Sequence, residues 1–396
     1  MKRREFIRNS SLATSLFMVP SFMKAFENFA ANTFGHKRLV VIQLSGGNDG
    51  LNTIVPYRND IYFKKRPKLA VTKNEVLNVD GDLGFHPSMK AFKELYDQGY
   101  VSIINNVGYP NPNRSHFRST DIWHTASNSN ENWQSGWIGR YLDHYGSNPY
   151  DAIEVDSHLS LALKGEKAFG IANDNPYLMY SSSRDPFFNK LEKYNADEHL
   201  SEHNLGYLYK TMIEAKSSAK YIFETSKTHA SKYEYPNNPF AQQLKTTAQF
   251  INSGLSTQVY YASLGGFDTH ANQKGQQERL LKVYANSVAA FVNDLKKNDT
   301  FKDTLILTFS EFGRRVKQNA SGGTDHGTAS NVYLIGEHLK KPGFYNNAPN
   351  LSNLDNNGDL KFEIDFRRVY ATVLKDWLKV DDGKILNKQF ATLNIV

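Results

Sequence analysis

Cysteine is absent from the 396-residue chain, and its absence excludes several kinds of site together. Without thiols there are no disulfides, no thiolate metal ligands, no iron–sulfur cluster and no cysteine nucleophile. A bound metal must therefore be held by imidazole, carboxylate, amide or hydroxyl groups. A chain that needs no disulfides also suits folding in a reducing compartment.

Long apolar runs and concentrated positive charge are missing as well. No segment approaches the roughly 18 uninterrupted apolar residues of a membrane-spanning helix, so we expect no stable membrane insertion. Residues 1–30 hold five basic and two acidic side chains, so they carry +3 of the formal net charge of +7 and leave +4 for the remainder. Nucleic-acid binding needs clustered charge, and we therefore expect no nucleic-acid partner.

The N-terminus has the pattern of an export signal. The chain begins M-K-R-R-E-F-I-R, in which Arg3 and Arg4 precede an aromatic, an aliphatic and a further basic residue, an order that resembles the twin-arginine motif. We expect the twin-arginine machinery to export the folded protein and residues 1–31 to be removed, which makes the mature protein periplasmic or secreted. The alternatives are an ordinary amphipathic helix, and cleavage near Ala25 instead of Ala30.

Five aliphatic runs predict buried strands, at residues 39–44, 101–107, 259–264, 304–309 and 332–335. Such runs are typical of strands that are buried on both faces of a parallel sheet. Helical patterns lie between and after them, at residues 87–98, 205–226, 239–253, 276–297 and 366–378. The alternation predicts a single α/β domain over residues 32–396, with a mainly parallel central sheet and a helical insertion at about residues 150–255.

Polar residues directly follow four of the predicted strands, at the place where open α/β sheets bind ligands. In chain order these clusters contain Asn48-Asp49, Arg114-Ser115-His116, Asp268-Thr269-His270 and Glu311 to Arg315, and the last cluster is followed by Asp325-His326. The glycine-rich loop around Asn48 matches no nucleotide-binding pattern.

The Asp and His residues of these clusters predict a cation site. Asp268 and His270 are two residues apart, so in extended backbone both side chains face the same way. Asp325 and His326 form a second pair between glycines, which permit a close backbone approach. Each pair taken singly also fits a polar turn, but several at neighbouring strand ends indicate a metal site.

Arginine and serine in the same loops suggest chemistry on an oxyanion. Arg suits bidentate contacts with phosphate, sulfate or carboxylate oxygens. Ser115 lies beside Arg114 and is a candidate nucleophile, because coordination to a cation lowers the pKa of a hydroxyl. The alternative is that Ser115 is only the N-cap of a helix over residues 117–125.

Several segments, in this order, resemble an exported bacterial family known as domain of unknown function 1501. They are the twin-arginine start, V-V-I-Q-L-S-G-G-N-D-G-L-N-T, N-R-S-H-F-R-S-T-D-I-W, G-G-F-D-T-H, and S-E-F-G-R-R-V followed by G-G-T-D-H-G. The resemblance implies an alkaline phosphatase/sulfatase-like three-layer sandwich, in which a metal-assisted Ser, Thr or modified residue attacks phosphate or sulfate esters. Glu311 and Phe312 stand where hydrolases of that superfamily carry Asp-His, so one expected His ligand is missing.

We therefore predict an exported, metal-dependent hydrolase of phosphate or sulfate esters, with extracellular polymers and other anionic esters as candidate substrates. The expected ligands of a divalent Zn, Mn, Ca or Mg ion are Asp49, Asp268, His270, Glu311, Asp325 and His326. The expected catalytic residues are Ser115, His116 and Arg314, and the expected substrate-binding residues are Asn48, Arg114 and Arg315.

Two alternatives stay open at this point. The first is a non-catalytic binding or assembly protein that keeps the fold with a partly lost metal site, and the pair Glu311-Phe312 motivates it. The second is carbohydrate binding through surface aromatics, drawn from the 22 Tyr, 25 Phe and 4 Trp residues. Aromatic residues more often serve the core, which weighs against the second alternative.

Overall fold

The protein is described by a computed structural model over residues 36–186 and 204–396, with the backbone alone at Asp80 and residues 204–213. The predicted export signal at residues 1–31 lies outside the described residues. Within the described ranges, none of the helices combines the length and apolar character needed to cross a membrane.

A mixed, mainly parallel sheet of nine strands forms the centre of the molecule. Its strands are β1 (Arg38–Leu44), β5 (Val101–Gly108), β6 (Ala152–Glu154), β7 (Ile171–Ala172), β8 (Val259–Leu264), β9 (Thr304–Phe309), β10 (Ser330–Ile335), β11 (Gly343–Phe344) and β12 (Ile364–Asp365). The order across the sheet is β11-β5-β10-β9-β1-β8-β6-β7, and β12 also pairs with β5. β10 runs antiparallel to both of its neighbours, whereas β1 is parallel to β8 and β9. The five predicted strands and the mainly parallel sheet are thus confirmed.

A small antiparallel sheet has the order β2-β4-β3 and consists of β2 (Ile54–Val55), β3 (Leu77–Asp80) and β4 (Leu83–Phe85). The α-helices of the described residues are α1 (Gly50–Thr53), α2 (Asp60–Lys65), α3 (Lys90–Asp97), α4 (His116–Thr125), α5 (Trp137–Tyr145), α6 (Pro176–Ser183), α7 (Asn204–Ser226), α8 (Pro239–Asn252), α9 (Gln273–Lys297), α10 (Phe366–Ala371) and α11 (Asp382–Leu386). Short 3-10 turns span Pro87–Met89, Pro149–Asp151, Leu161–Leu163 and Phe301–Asp303, and a π-helical turn spans Thr372–Trp377.

Helices pack on both faces of the central sheet because its strands are apolar on both faces. Along β1, Val40 and Ile42 belong to one core, which also takes residues from α3, α8 and α9. Leu39 and Val41 belong to the opposite core, which takes residues from α4, α5 and α10. The alternation follows from the two-residue period of a strand. The predicted three-layer α/β architecture is confirmed.

The region predicted as a helical insertion, residues 150–255, contains α7 and α8 and is also part of the sheet. Its strands β6 and β7 extend the sheet beyond β8 in parallel register. These strands are only three and two residues long, so they have no aliphatic run that a sequence pattern can detect. Residues 187–203 of this region lie outside the described residues.

Strand direction determines where the site loops meet. The carboxyl ends of β1, β5, β8 and β9 lie at one edge of the sheet, because β5 and β9 are each antiparallel to β10 and thus parallel to each other. The amino end of β10 lies at this same edge. Residues 310–329 therefore leave the sheet after β9 and rejoin it at β10 on the same side as the other loops.

Candidate metal centre

Three imidazole nitrogens face one carboxylate oxygen at this edge of the sheet. Asp268 Oδ1 lies 3.3 Å from His116 Nε2, 3.0 Å from His270 Nε2 and 3.2 Å from His326 Nε2. The Nε2 atoms of His270 and His326 are 2.9 Å apart. The ligand atoms of His116, Asp268 and His326 all lie within 4.8 Å of one another. Asp268, His270 and His326, predicted as metal ligands from sequence, are thus brought together.

Separate parts of the fold supply these side chains. His116 is the first residue of α4, Asp268 and His270 follow β8, and His326 precedes β10. The loops approach closely because glycine lines the contact: Gly46 has φ +113°, and a Cβ there would lie 2.5 Å from the backbone nitrogen of Asp268. A larger residue at position 46 would push the β1 and β8 loops apart.

Each imidazole is held from behind through its Nδ1 atom. The partners, in the order His116, His270 and His326, are Glu311 Oε1 at 2.9 Å, Asp325 Oδ1 at 3.3 Å and the carbonyl oxygen of Arg114 at 2.7 Å. Such a contact at Nδ1 fixes the tautomer and leaves the Nε2 lone pair for a ligand. His116 Nε2 is buried and has no hydrogen-bond partner among the described residues. These donors fit a cation.

His116, Glu311 and Asp325 therefore take positions that differ from the expected ones. His116, predicted as catalytic, stands among the candidate ligands. Glu311 is buried, and its Oε1 accepts from the backbone of Gly46 at 2.8 Å as well as facing His116. Asp325 accepts from Asn319 at 3.2 Å while it faces His270. Glu311 and Asp325, predicted as ligands, support imidazoles instead.

The charges of the site are set by these contacts. Burial raises the pKa of Asp268, but hydrogen bonds from Arg314 and His326 outweigh it and bring the pKa below its ordinary value. The hydrogen bond to Glu311 raises the pKa of His116, whereas burial lowers the pKa of His326. Asp268 is thus an ionised carboxylate across the ordinary pH range.

Arg314 is a buried support of this carboxylate. Its Nη2 donates to Asp268 Oδ1 at 2.8 Å. Its other hydrogen bonds go to the carbonyl oxygens of Gly46, Gly47, Phe267 and Thr324. Each of its nitrogens thus donates within the protein, and Arg314, predicted as catalytic, positions Asp268.

Asn48 and Asp49 lie in a different buried network. Asp49 Oδ2 accepts from Arg66 at 2.6 Å and also from Gln273. Within the described ranges its Oδ1 is buried without a hydrogen-bond partner. The side-chain amide of Asn48 bonds to Thr53 at 3.0 Å and to Gln277 at 2.9 Å. Asn48 is not among the residues that line the cleft of Arg114 and Arg315 described below, and Asp49 is not among the candidate ligands. Arg66 is a partner of Asp49 that no sequence pattern indicates.

Phe312 forms an apolar wall of the site. Its ring centroid lies 4.9 Å from that of His116 and 4.7 Å from that of His326. The residue that stands where an additional His ligand was expected therefore packs against two of the imidazoles, and it restricts their movement.

A cleft of about 430 Å³ opens beside His270 and His326, and Arg114 and Arg315 line it. Asp359 holds both arginines: Oδ2 accepts from Arg114 Nε at 2.9 Å and Oδ1 accepts from Arg315 Nε at 3.1 Å. Asp359 is fully buried, whereas the arginine side chains are 33% and 38% exposed. The two arginines predicted to bind substrate are thus brought together. Asp359, the carboxylate that orients them, was not predicted, because it lies in a loop before β12 that contains several acidic residues.

Ser115 occupies the N-cap position of α4 without capping it. Its side chain makes no cap hydrogen bond, and the residue is exposed. Its backbone N–H donates to Asn113 Oδ1 at 2.8 Å, which shapes the turn before the helix. Ser115 thus holds the predicted N-cap position, but its side chain does not cap the helix and its hydroxyl is exposed.

Fold and site together define a class: an α/β protein with a histidine-rich candidate cation site at the carboxyl edge of its sheet and an arginine-lined cleft beside it. The chain belongs to the family described as "Protein of unknown function (DUF1501)", which residues 36–390 match. The family membership predicted from the sequence motifs is confirmed. No curated protein sequence matches this chain.

Solved structures to which this chain is similar come from several bacteria. The lipoteichoic acid synthase LtaP from Listeria monocytogenes is 9% identical, with 91% of this chain and 76% of that chain covered and a TM-score of 0.42. The PsFucS1 sulfatase from Pseudoalteromonas sp. is 11% identical, with 92% and 72% covered and a TM-score of 0.39. The phosphonate monoester hydrolase SpPMH from Silicibacter pomeroyi is 8% identical, with 78% and 69% covered and a TM-score of 0.34. At such distances the function has to be argued from the site itself.

Proposed function

We propose that this protein is an exported, metal-dependent hydrolase of phosphate or sulfate esters. The observation that supports the proposal is the convergence of three imidazole Nε2 atoms on Asp268 Oδ1, next to a cleft lined by two arginines. A cation site beside a cleft with two arginines suits an anionic ester, whose charged oxygens the cation and the guanidinium N–H groups attract.

His116, His270, His326 and Asp268 would hold the metal. Imidazole-rich sites favour zinc and other transition metals, whereas all-oxygen sites favour calcium, magnesium and manganese, so the donor set points to Zn ahead of Mn. When bound, such a cation polarises an ester oxygen and makes a water or hydroxyl a stronger nucleophile.

The arginines orient the anionic end of the substrate. Asp359 accepts hydrogen bonds from the Nε groups of Arg114 and Arg315. The Nη1 groups of both arginines donate to none of the residues that the structure describes. Guanidinium N–H groups match the oxygens of phosphate and sulfate in geometry and charge. Because Asp359 is buried and fixed, the arginines are pre-oriented for the ligand, which lowers the cost of binding it.

The attacking oxygen comes from Ser115 or from water in the cleft. If water attacks, its oxygen bonds to phosphorus or sulfur, the bond to the ester oxygen breaks, and the leaving alcohol takes up the proton that the water loses. If Ser115 attacks, its hydroxyl proton goes to the leaving alcohol in the same way, and water then hydrolyses the phosphoserine or sulfoserine and restores the hydroxyl. Ser115 suits the role because its exposed hydroxyl directly precedes His116 in the chain. Phe312 excludes water from one side of the imidazoles.

A non-catalytic binding protein is the second candidate. The observation that favours it is the pairing of Asp49 with Arg66, since the carboxylate after β1 is neutralised by a guanidinium and not offered to a cation. The same donors and arginines would then retain an anion without converting it.

The test is metal analysis of the exported protein followed by assays with 4-nitrophenyl phosphate, bis(4-nitrophenyl) phosphate and 4-nitrophenyl sulfate. We expect about one equivalent of Zn or Mn and turnover that a chelator abolishes. Asp268→Asn should lose both metal and turnover, and the matched control Asp82→Asn, at an exposed carboxylate, should lose neither. Ser115→Ala separates the two attacking oxygens, because activity survives only if water attacks.

Metal-loaded protein that is inactive on all three esters would favour the binding protein. Protein that takes up no metal would overturn the proposed site.

A further inference from the structure

A second, aromatic cavity adjoins the candidate metal centre. It has a volume of about 290 Å³, and its walls include Tyr109, Trp123, Phe312 and Phe362. Phe312 also packs against the ring of His326, so one side chain forms part of the cavity and part of the metal centre. Glu311, which holds His116 in place, lines the cavity as well.

The cavity and the arginine-lined cleft share a border. Asn113 and Asp355 line the cavity, and the next residue after Asn113, Arg114, lines the cleft. Arg114 Nη2 lies 3.4 Å from Asp355 Oδ2, and the two side chains are 33% and 26% exposed. A molecule that crosses this ion pair has one end among the arginines and the other among the aromatic rings.

The polar groups of the cavity leave one donor without a partner. The hydroxyl of Tyr109 lies 2.8 Å from Ser119 Oγ, and the hydroxyl of Thr328 donates to the carbonyl of Leu360. Trp123 Nε1, by contrast, is buried with no hydrogen-bond partner in the part of the chain that the structure describes. Most buried polar groups are paired, so this donor is an exception in a residue that lines the cavity.

Trp123 is a rigid part of the cavity wall. Its ring stacks on Phe309 at 4.8 Å and on Phe366 at 4.3 Å between centroids. Stacking on both neighbours fixes the indole, so the cavity is formed before a ligand enters.

We propose that this cavity receives an aromatic ring of the leaving group, which makes aryl phosphates or aryl sulfates the substrate class. The inference rests on the proposed function for the anionic end of the molecule. An apolar cavity of roughly 150 Å³ accommodates benzene, so the larger volume here accommodates two fused rings. Aromatic walls favour a flat ring over an aliphatic chain through stacked and edge-to-face contacts.

The experiment measures binding of naphthalene-2-sulfonate and methanesulfonate to the zinc-loaded full chain by calorimetry. Both carry the same anionic group on carbon and neither is an ester, so the measurement does not depend on hydrolysis. We expect the naphthalene compound to bind at least about tenfold more tightly, because only its ring enters the cavity. Phe362→Ala, which removes one half-buried wall, should reduce this preference about fivefold or more. The matched variant Phe344→Ala, half-buried outside the cavity, should preserve it.

Equal affinity of the two sulfonates for the wild-type protein would overturn the assignment, and so would a preference that Phe362→Ala leaves intact. A ring preference in a protein that hydrolyses none of the test esters would refute the hydrolase and leave the aromatic cavity assigned. Ester hydrolysis without a ring preference would support the hydrolase and refute the assignment of the aromatic cavity.

Discussion

The guanidinium of Arg66 lies 2.6 Å from the carboxylate of Asp49, and both side chains are completely buried. Arg66 also donates to Asn52 at 2.7 Å and to the carbonyl oxygens of Val316 and Arg315. The pair therefore connects the loop after β1 with the segment that carries Arg314 and Arg315. The free-energy cost of burying these two charges is compensated only while both are present.

Removing one partner of this pair should be strongly destabilising. We expect Arg66→Met to lower the free energy of unfolding in urea by about 3–5 kcal/mol, because Asp49 is left as an uncompensated buried charge. The double variant Arg66→Met/Asp49→Leu should recover part of the loss. Lys93→Met, which breaks the exposed pair with Asp97, should cost under about 1 kcal/mol. A similarly small loss for Arg66→Met would show that the buried pair does not stabilise the fold.

The contact behind His116 should control metal affinity. We expect Glu311→Gln to weaken Zn binding roughly 10- to 100-fold in calorimetric titration of metal-free protein, because the imidazole loses the carboxylate that orients it. The same substitution at the exposed Glu94 is the control and should not change the affinity. Unaltered affinity in Glu311→Gln would remove His116 from the ligand set.

Charge in the cleft should determine anion capture. Arg315→Gln removes charge-assisted hydrogen bonds, each worth about 1.5–3 kcal/mol, so inorganic phosphate should bind more than about tenfold more weakly. Arg58→Gln, at an arginine that is 60% exposed and lies 4.0 Å from Asp82, should leave phosphate binding as it is in wild type. Competition assays measure the phosphate affinity of both variants. Equal losses in the two variants would show that overall charge, and not the cleft, attracts the anion.

Glu154 at the end of β6 should make stability depend on pH. Burial raises the pKa of Glu154 to about 7, so the folded state holds the proton more tightly than the unfolded chain. The protonated carboxyl favours the fold below the unfolded pKa, and this contribution is lost as the pH rises through about 7. Between pH 5 and pH 8 the wild type should lose roughly 2–3 kcal/mol more unfolding free energy than Glu154→Gln. Glu337→Gln, at an exposed position, should follow the wild type, and identical pH slopes in all three proteins would contradict the argument.

The N-terminal arginines should decide where the protein is found. We expect replacement of both Arg3 and Arg4 by Lys to leave the precursor in the cytosol, because the twin-arginine machinery reads this pair. Cell fractionation and immunoblotting measure the distribution. Replacement of Lys2 by Arg, which keeps the pair, serves as the control. Normal periplasmic maturation of the double variant would contradict the export signal.

The strands of the fold were predictable because they are buried on both faces. Residues 39–44 and 304–309 are nearly continuous aliphatic runs, and both lie within strands of the central sheet. The short strands β6 and β7 at one end of the sheet were not predictable, since pairing with a neighbour, and not their own composition, makes them strands.

The candidate site was predictable where residue type alone indicates chemistry. Asp268, His270 and His326 were found because a carboxylate and imidazoles after strand ends point to a cation. The roles of Asp49 and Arg314 were not predictable, because each depends on a partner from a different part of the chain. Asp49 pairs with Arg66, and Arg314 donates to backbone carbonyls that only the folded loops bring within reach.

The antiparallel direction of β10 has a consequence for how such a site changes over evolutionary time. Because residues 310–329 leave and rejoin the sheet at the same edge, one continuous stretch of coding sequence carries much of the chemistry. That stretch contains Glu311, Phe312, Arg314, Arg315, Asp325 and His326. Substitutions or a recombined cassette within it can alter cation preference, anion capture and the aromatic wall together while the strand register stays as inherited. The other candidate ligands, His116, Asp268 and His270, follow different strands and would stay unchanged.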